Sequence, residues 1–119
     1  MNFERAKTLC RSFPGVLEDT KWENDLVFSV GSKMFAVTNL GEASGISFKV
    51  EDERFLELTD RPGIIPAPYL ARAKWVYVED AKALDDEEAA QLLRRSYELV
   101  FAKLTKKLQR EIVGNQAGA

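Results

Sequence analysis

Histidine is missing from this chain of 119 residues, and cysteine occurs once, at Cys10. The first absence removes the commonest general base and proton shuttle. Together the two exclude a structural zinc site, which needs four Cys or His ligands. A lone cysteine also excludes a disulfide within the chain. It suits a reducing compartment, so the expected location is cytoplasmic. A basic excess is lacking too. The 17 Lys and Arg face 19 Asp and Glu, a net charge of −2, whereas a strongly electrostatic nucleic-acid binder carries a positive balance. No apolar run approaches the roughly 20 residues that span a bilayer, so no membrane partner is expected. The opening MNFERAKTLCRSF is charged and interrupted, unlike a secretory leader. Neither G-x-G-x-x-G nor a Walker-type loop occurs. Without His or a Ser–Lys pairing, no nucleophile stands out. The expectation is no enzyme, no cofactor, no catalytic residue and no metal ligand.

What is present belongs to a globular domain: 45% apolar and 30% charged residues, expected as one domain over 1–113 with a flexible tail at 114–119. Residues 3–13 set Phe3, Ala6, Leu9, Cys10 and Phe13 at helical spacing, and Pro14-Gly15 stops that helix. Cys10 lies on the apolar stripe and reads as an inert core thiol. Residues 16–22 form a weak strand. Residues 26–30 and 33–40 make a hairpin through Gly31-Ser32, a two-residue link with Gly first, as a type II′ turn requires. That register opposes Val30 to Lys33, Phe28 to Phe35 and Leu26 to Val37, and opposed residues share a face. Leu26, Phe28, Val30, Phe35 and Val37 are then expected in the core. Val27, Ser29, Met34, Ala36 and Thr38 are expected on the other face.

After a loop at 41–45, residues 46–50 alternate as another half-buried strand. Residues 51–60 form a short acidic helix, ended by Arg61-Pro62-Gly63. Its acids Glu51, Asp52 and Glu53, like those at 85–88, complement a helix N-terminus. Residues 64–73 are too proline-rich for a central strand and read as an ordered loop with one helical turn at 69–73. Residues 74–78 form a strand with Val76 and Val78 inward. Asp85 caps the last helix and Glu88 completes a capping box. Its apolar stripe runs through Ala89, Leu92, Leu93, Val100, Leu104 and Leu108, with a break near Thr105. The order α-β-β-β-β-α-β-α implies an α+β fold, a single antiparallel sheet packed on one face by helices.

Five stretches carry a likeness: FPGVLEDTKW at 13–22, VFSVGSKMFAV at 27–37, ISFKV at 46–50, RPGIIPAPYLARAKWVYV at 61–78 and SYELVFAKLTKKL at 96–108. In this order they resemble the MmcQ/YjbR-like family of small bacterial proteins. The resemblance implies an α+β fold similar to the frataxin-like and type III secretion chaperone-like architectures, described as a double wing. The wing label is the basis on which such proteins are given a DNA-binding role. This chain departs at Ala73, where relatives often carry His, and at Thr105, where they often carry Pro.

Residues 61–78 also hold three prolines, Pro62, Pro66 and Pro68, and the cations Arg61, Arg72 and Lys74, with no acid among them. Cations neutralise phosphates, and aromatic rings stack unpaired bases. The expected nucleic-acid surface is Lys33, Lys49, Arg61, Tyr69, Arg72, Lys74 and Trp75, with DNA as partner. The alternative is a protein partner or a homodimer on the second sheet face, through Val27, Met34 and Ala36 beside Trp75. That alternative fails if the loop at 64–73 covers the face.

Overall fold

A computed structural model describes residues 1–22, 24–39 and 45–117. The elements in chain order are α1 (Phe3–Ser12), β1 (Val16–Lys21), β2 (Asp25–Val30), β3 (Lys33–Asn39), β4 (Ile46–Lys49) and α2 (Asp52–Thr59). β5 (Ile64–Pro66), β6 (Trp75–Val78), α3 (Asp86–Phe101) and α4 (Lys106–Ala117) follow, with single 3-10 turns at Ala71–Ala73 and Ala81–Ala83. The six strands form one antiparallel sheet in the order β1-β2-β3-β4-β6-β5. The α+β class and the order of the main elements are those expected from the sequence. The loop expected at 41–45 lies, apart from Gly45, outside the described residues. Of the tail expected at 114–119, α4 includes 114–117 and the last two residues lie outside them. No helix among the described residues is long and apolar enough to cross a membrane.

α1, α3 and α4 begin where a side chain can take an orphan amide, whereas α2 starts at Glu51 with no side-chain cap. The Asn2 side chain accepts from the Arg5 amide at 3.0 Å, and Asp85 accepts from the Glu88 amide at 2.7 Å. The second half of the capping box expected at Asp85 is not made, because Arg61 takes the Glu88 carboxylate instead. The last helix does break at Thr105, whose hydroxyl accepts from the Leu108 amide at 3.1 Å and starts α4. Residues 64–66, expected as loop, pair with β6 as an edge strand. Pro66 is tolerated there because an edge leaves one side of the backbone unpaired.

The hairpin corrects one expectation. Gly31 and Ser32 both have positive φ, 57° and 68°, so the turn is type I′ rather than II′. Val30 still faces Lys33 and Ser29 faces Met34, but Phe28 then pairs with Ala36, leaving Phe35 as an extra residue. This β-bulge shifts the register by one, and a one-residue slip exchanges faces. Ala36 and Thr38 therefore join the core face, and Val37 goes to the outer face. Phe35 itself still turns inward and is fully buried.

Across the sheet the side chains form clean rows. Leu26, Thr38, Ile46, Val78 and Ile64 make one core row, and Phe28, Ala36, Phe48 and Val76 another. Between them runs an outer row of Val27, Val37, Ser47, Tyr77 and Ile65. α1 and α3 cover the core face, with Tyr97 standing edge-on to Phe35 at 5.6 Å and 5.0 Å from Phe13. Cys10 sits in this core with no exposed surface, and burial pushes its thiol up to about 12. A thiol reacts as the thiolate, so native protein at pH 8 should not react with a disulfide reagent such as DTNB, and should react once urea unfolds it. Stoichiometric labelling of the native state would contradict this packing.

Candidate binding groove on the outer sheet face

The outer face is neither bare nor fully roofed. Residues 67–70 double back beside β6: the Ala67 amide donates to the Trp75 carbonyl at 3.0 Å, and the Trp75 amide to the Leu70 carbonyl at 3.2 Å. This loop closes over Trp75, which is only 4% exposed. It stops short of β2 and β3, leaving a groove of about 430 Å³. One wall is Trp22, Asp25 and Met34, the floor is Val37 and Ser47, and the other wall is residues 68–70. A second hollow of about 210 Å³ shares Asp25, Val37, Ser47 and Pro68 and extends to Tyr77.

The two aromatic rims share an unusual backbone. Trp22 and Tyr69 have φ of 49° and 67°, the left-handed region, which is uncommon for a bulky residue and costs roughly 1–2 kcal/mol. Neither ring recovers that cost by packing: Trp22 is 66% exposed and Tyr69 fully exposed.

The seven residues expected on a nucleic-acid surface scatter. Lys33 is exposed at the hairpin tip, and Arg72 is exposed on the 3-10 turn. Lys49 donates to the Ala73 carbonyl at 2.6 Å. Burial, then the nearby Lys103, lower its pKa from the usual lysine value. Lys74 caps the 3-10 turn in the left-handed region, with its ammonium 5.1 Å from the Phe55 ring centre. Arg61 is held by Glu57 at 2.6 and 3.0 Å and by Glu88 at 2.7 and 3.0 Å. Those hydrogen bonds push its pKa further up and hold the Glu57 carboxyl below its usual range. Trp75 is covered and offers no face for stacking. Of the seven, Tyr69 alone lines the groove.

The protein-binding alternative is also redrawn. Ala36 faces the core and Trp75 lies under the loop, while Met34 remains in the groove. Trp22, Asp25 and Leu70 were not singled out from the sequence. A tryptophan closing an otherwise polar strand was the available signal for the first; nothing local marks the other two.

The YjbR family model matches residues 11–99. The chain belongs to the YjbR family. The matched YjbR span includes Trp22, Asp25, Met34 and residues 68–70, so the whole groove lies within it. The crystal structure of Deinococcus radiodurans protein DR2400, described with the domain DUF419, is similar at 30% identity and a TM-score of 0.80. That likeness covers 93% of this chain and 87% of that one. A Pseudomonas syringae protein shares the fold at 22% identity and a TM-score of 0.68, over 84% of this chain and 99% of that one. Among curated proteins nothing matches.

Proposed function

We propose that this YjbR chain is a non-catalytic binding module that takes a short segment of another protein into the outer-face groove. The observation that carries this reading is the pair of exposed aromatics, Trp22 and Tyr69, held in costly backbone geometry on opposite rims of a largely apolar groove. Backbone strain at exposed rings is retained where it positions a contact. A groove of this size accommodates one or two side chains of an extended peptide.

DNA binding is the second reading, and a different observation supports it. Lys33, Lys49, Arg72 and Lys74 make no ion pair among the described residues, whereas Arg5, Arg11, Arg54, Arg61 and Arg95 all do. Against it, two of those four lysine and arginine heads are already engaged, by the Ala73 carbonyl and the Phe55 ring. The net charge is also negative.

A pair of measurements separates the readings. Random peptides displayed on phage are panned on the wild-type chain, and the enriched peptides are titrated against a Trp22→Ala/Tyr69→Ala variant. The groove reading expects enriched peptides whose affinity falls at least tenfold in the variant. Anisotropy of random duplex DNA over a salt series is the second measurement. Low-salt binding that Arg72→Glu/Lys74→Glu abolishes, with no peptide enriched, would replace the groove reading by the nucleic-acid one.

A further inference from the structure

The groove is largely apolar, and among the residues that line it Asp25 alone carries a charge. Asp25 opens β2 on the outer face and lines both the main groove and the adjoining hollow. No basic group pairs with it among the described residues. Lys21 is its cross-strand partner in register and lies on the same face, yet it makes no ion pair with Asp25. A half-buried carboxylate beside exposed aromatic rings is a site of negative potential: ring faces are negative at their centres, and the carboxylate adds a full charge.

We infer that the groove recognises an arginine side chain of the bound segment, its aliphatic stem along Met34, Val37 and Pro68 and its guanidinium at Trp22, Tyr69 and Asp25. This rests on the groove being a peptide site. Three features single out arginine. Its flat head stacks on aromatic faces and bonds a carboxylate in two places. Its three-carbon stem suits an apolar floor. A phosphate or an acidic side chain entering the same groove would meet the Asp25 charge and be repelled. The two rings lie open to solvent and the carboxylate has no basic partner among the described residues, so a cation arriving there displaces water.

The test uses capped tripeptides, acetyl-Leu-X-Leu-amide, with X as arginine or as citrulline. Citrulline has the same shape and no charge. Binding is read from the indole N–H resonances, since the chain has two tryptophans and Trp75 is buried while Trp22 is exposed. The arginine peptide should shift the Trp22 resonance, leave Trp75 in place, and bind at least tenfold tighter than the citrulline peptide. Asp25→Asn, checked for an unchanged melting temperature, should narrow the difference between the two peptides at least threefold, the rings alone still favouring the cation. If arginine and citrulline bind equally to the wild-type chain, the arginine assignment is overturned and the peptide groove stands. If neither peptide shifts Trp22 at millimolar concentration while phage-selected peptides do, the assignment is again overturned alone. If no peptide of any kind shifts it, both fall.

Discussion

Gly45→Ala is expected to lower stability by about 3–5 kcal/mol, one of the largest effects any single methyl has in this chain. Two costs add. Gly45 has φ of 82°, and an L-residue there costs roughly 1–2 kcal/mol. The larger cost is collision. A Cβ on Gly45 would run into the Val78 carbonyl oxygen and come within 3.0 Å of the Tyr77 ring. The carbonyl is backbone, in a strand paired on one side with Ile46 and on the other with Ile64. It cannot retreat without opening one of those ladders. Gly45 is held from its own side as well, since its carbonyl accepts from the buried Thr38 hydroxyl at 2.8 Å. Gly45→Asn separates the two costs, because Asn tolerates positive φ but still carries the Cβ. If collision dominates, Asn and Ala should destabilise alike in urea unfolding. At Gly31 the added methyl would meet the Leu104 and Leu108 side-chain tips at 2.7 and 2.9 Å. Those tips can move, so Gly31→Ala should cost less than Gly45→Ala. An unfolding free energy for Gly45→Ala within about 1 kcal/mol of wild type, by linear extrapolation to zero urea, would show that the β4–β6 ladder yields.

Period and turn residues made most of the elements legible. Alternation at Ile46, Phe48 and Val50 marks β4, and i, i+3, i+4 spacing marks α1 and α3; both are local signals and both hold. The face assignment of β3 was not legible, for a physical reason. A two-residue turn fixes register only at the turn, and a bulge three residues on leaves no local trace when every candidate for the extra residue is apolar. MFAV fits either register by hydrophobicity alone. The bulge is decided by tertiary packing of Phe35 against Tyr97 and Phe13 from the helix layer. The candidate site followed the same logic. Cations and aromatics crowded into 61–78 suggested a surface, yet linear proximity says nothing about which way a side chain turns. Trp75 turns under its own loop, and Arg61 turns to two glutamates, one of them 27 residues away. The groove joins β1–β2, β3–β4 and residues 68–70, and no stretch of sequence contains it.

The second large expected effect is at Ser96 on α3. The β3–β4 ladder ends at Ala36 and Phe48, and the Phe35 carbonyl and the Lys49 amide lie just beyond it. The Ser96 hydroxyl fills that gap: it donates to the Phe35 carbonyl at 2.7 Å and accepts from the Lys49 amide at 3.0 Å. Ser96 has no exposed surface, so no water waits to replace it. A serine in mid-helix usually turns to its own helix or to solvent; here it completes a sheet. Ser96→Ala should therefore cost about 2–4 kcal/mol, since it leaves two buried backbone groups unpaired at roughly 1–3 kcal/mol each. The exposed Ser12, whose hydroxyl donates to the Leu9 carbonyl within its own helix, provides the control, and Ser12→Ala should change stability by less than about 0.5 kcal/mol. Hydrogen exchange gives a readout that global stability does not. In Ser96→Ala the Lys49 amide should lose protection beyond the fall shared by the core strands, because its Ser96 acceptor is gone. If Lys49 exchanges no faster than its neighbours, the hydroxyl bridge is dispensable and the β3–β4 gap closes on itself.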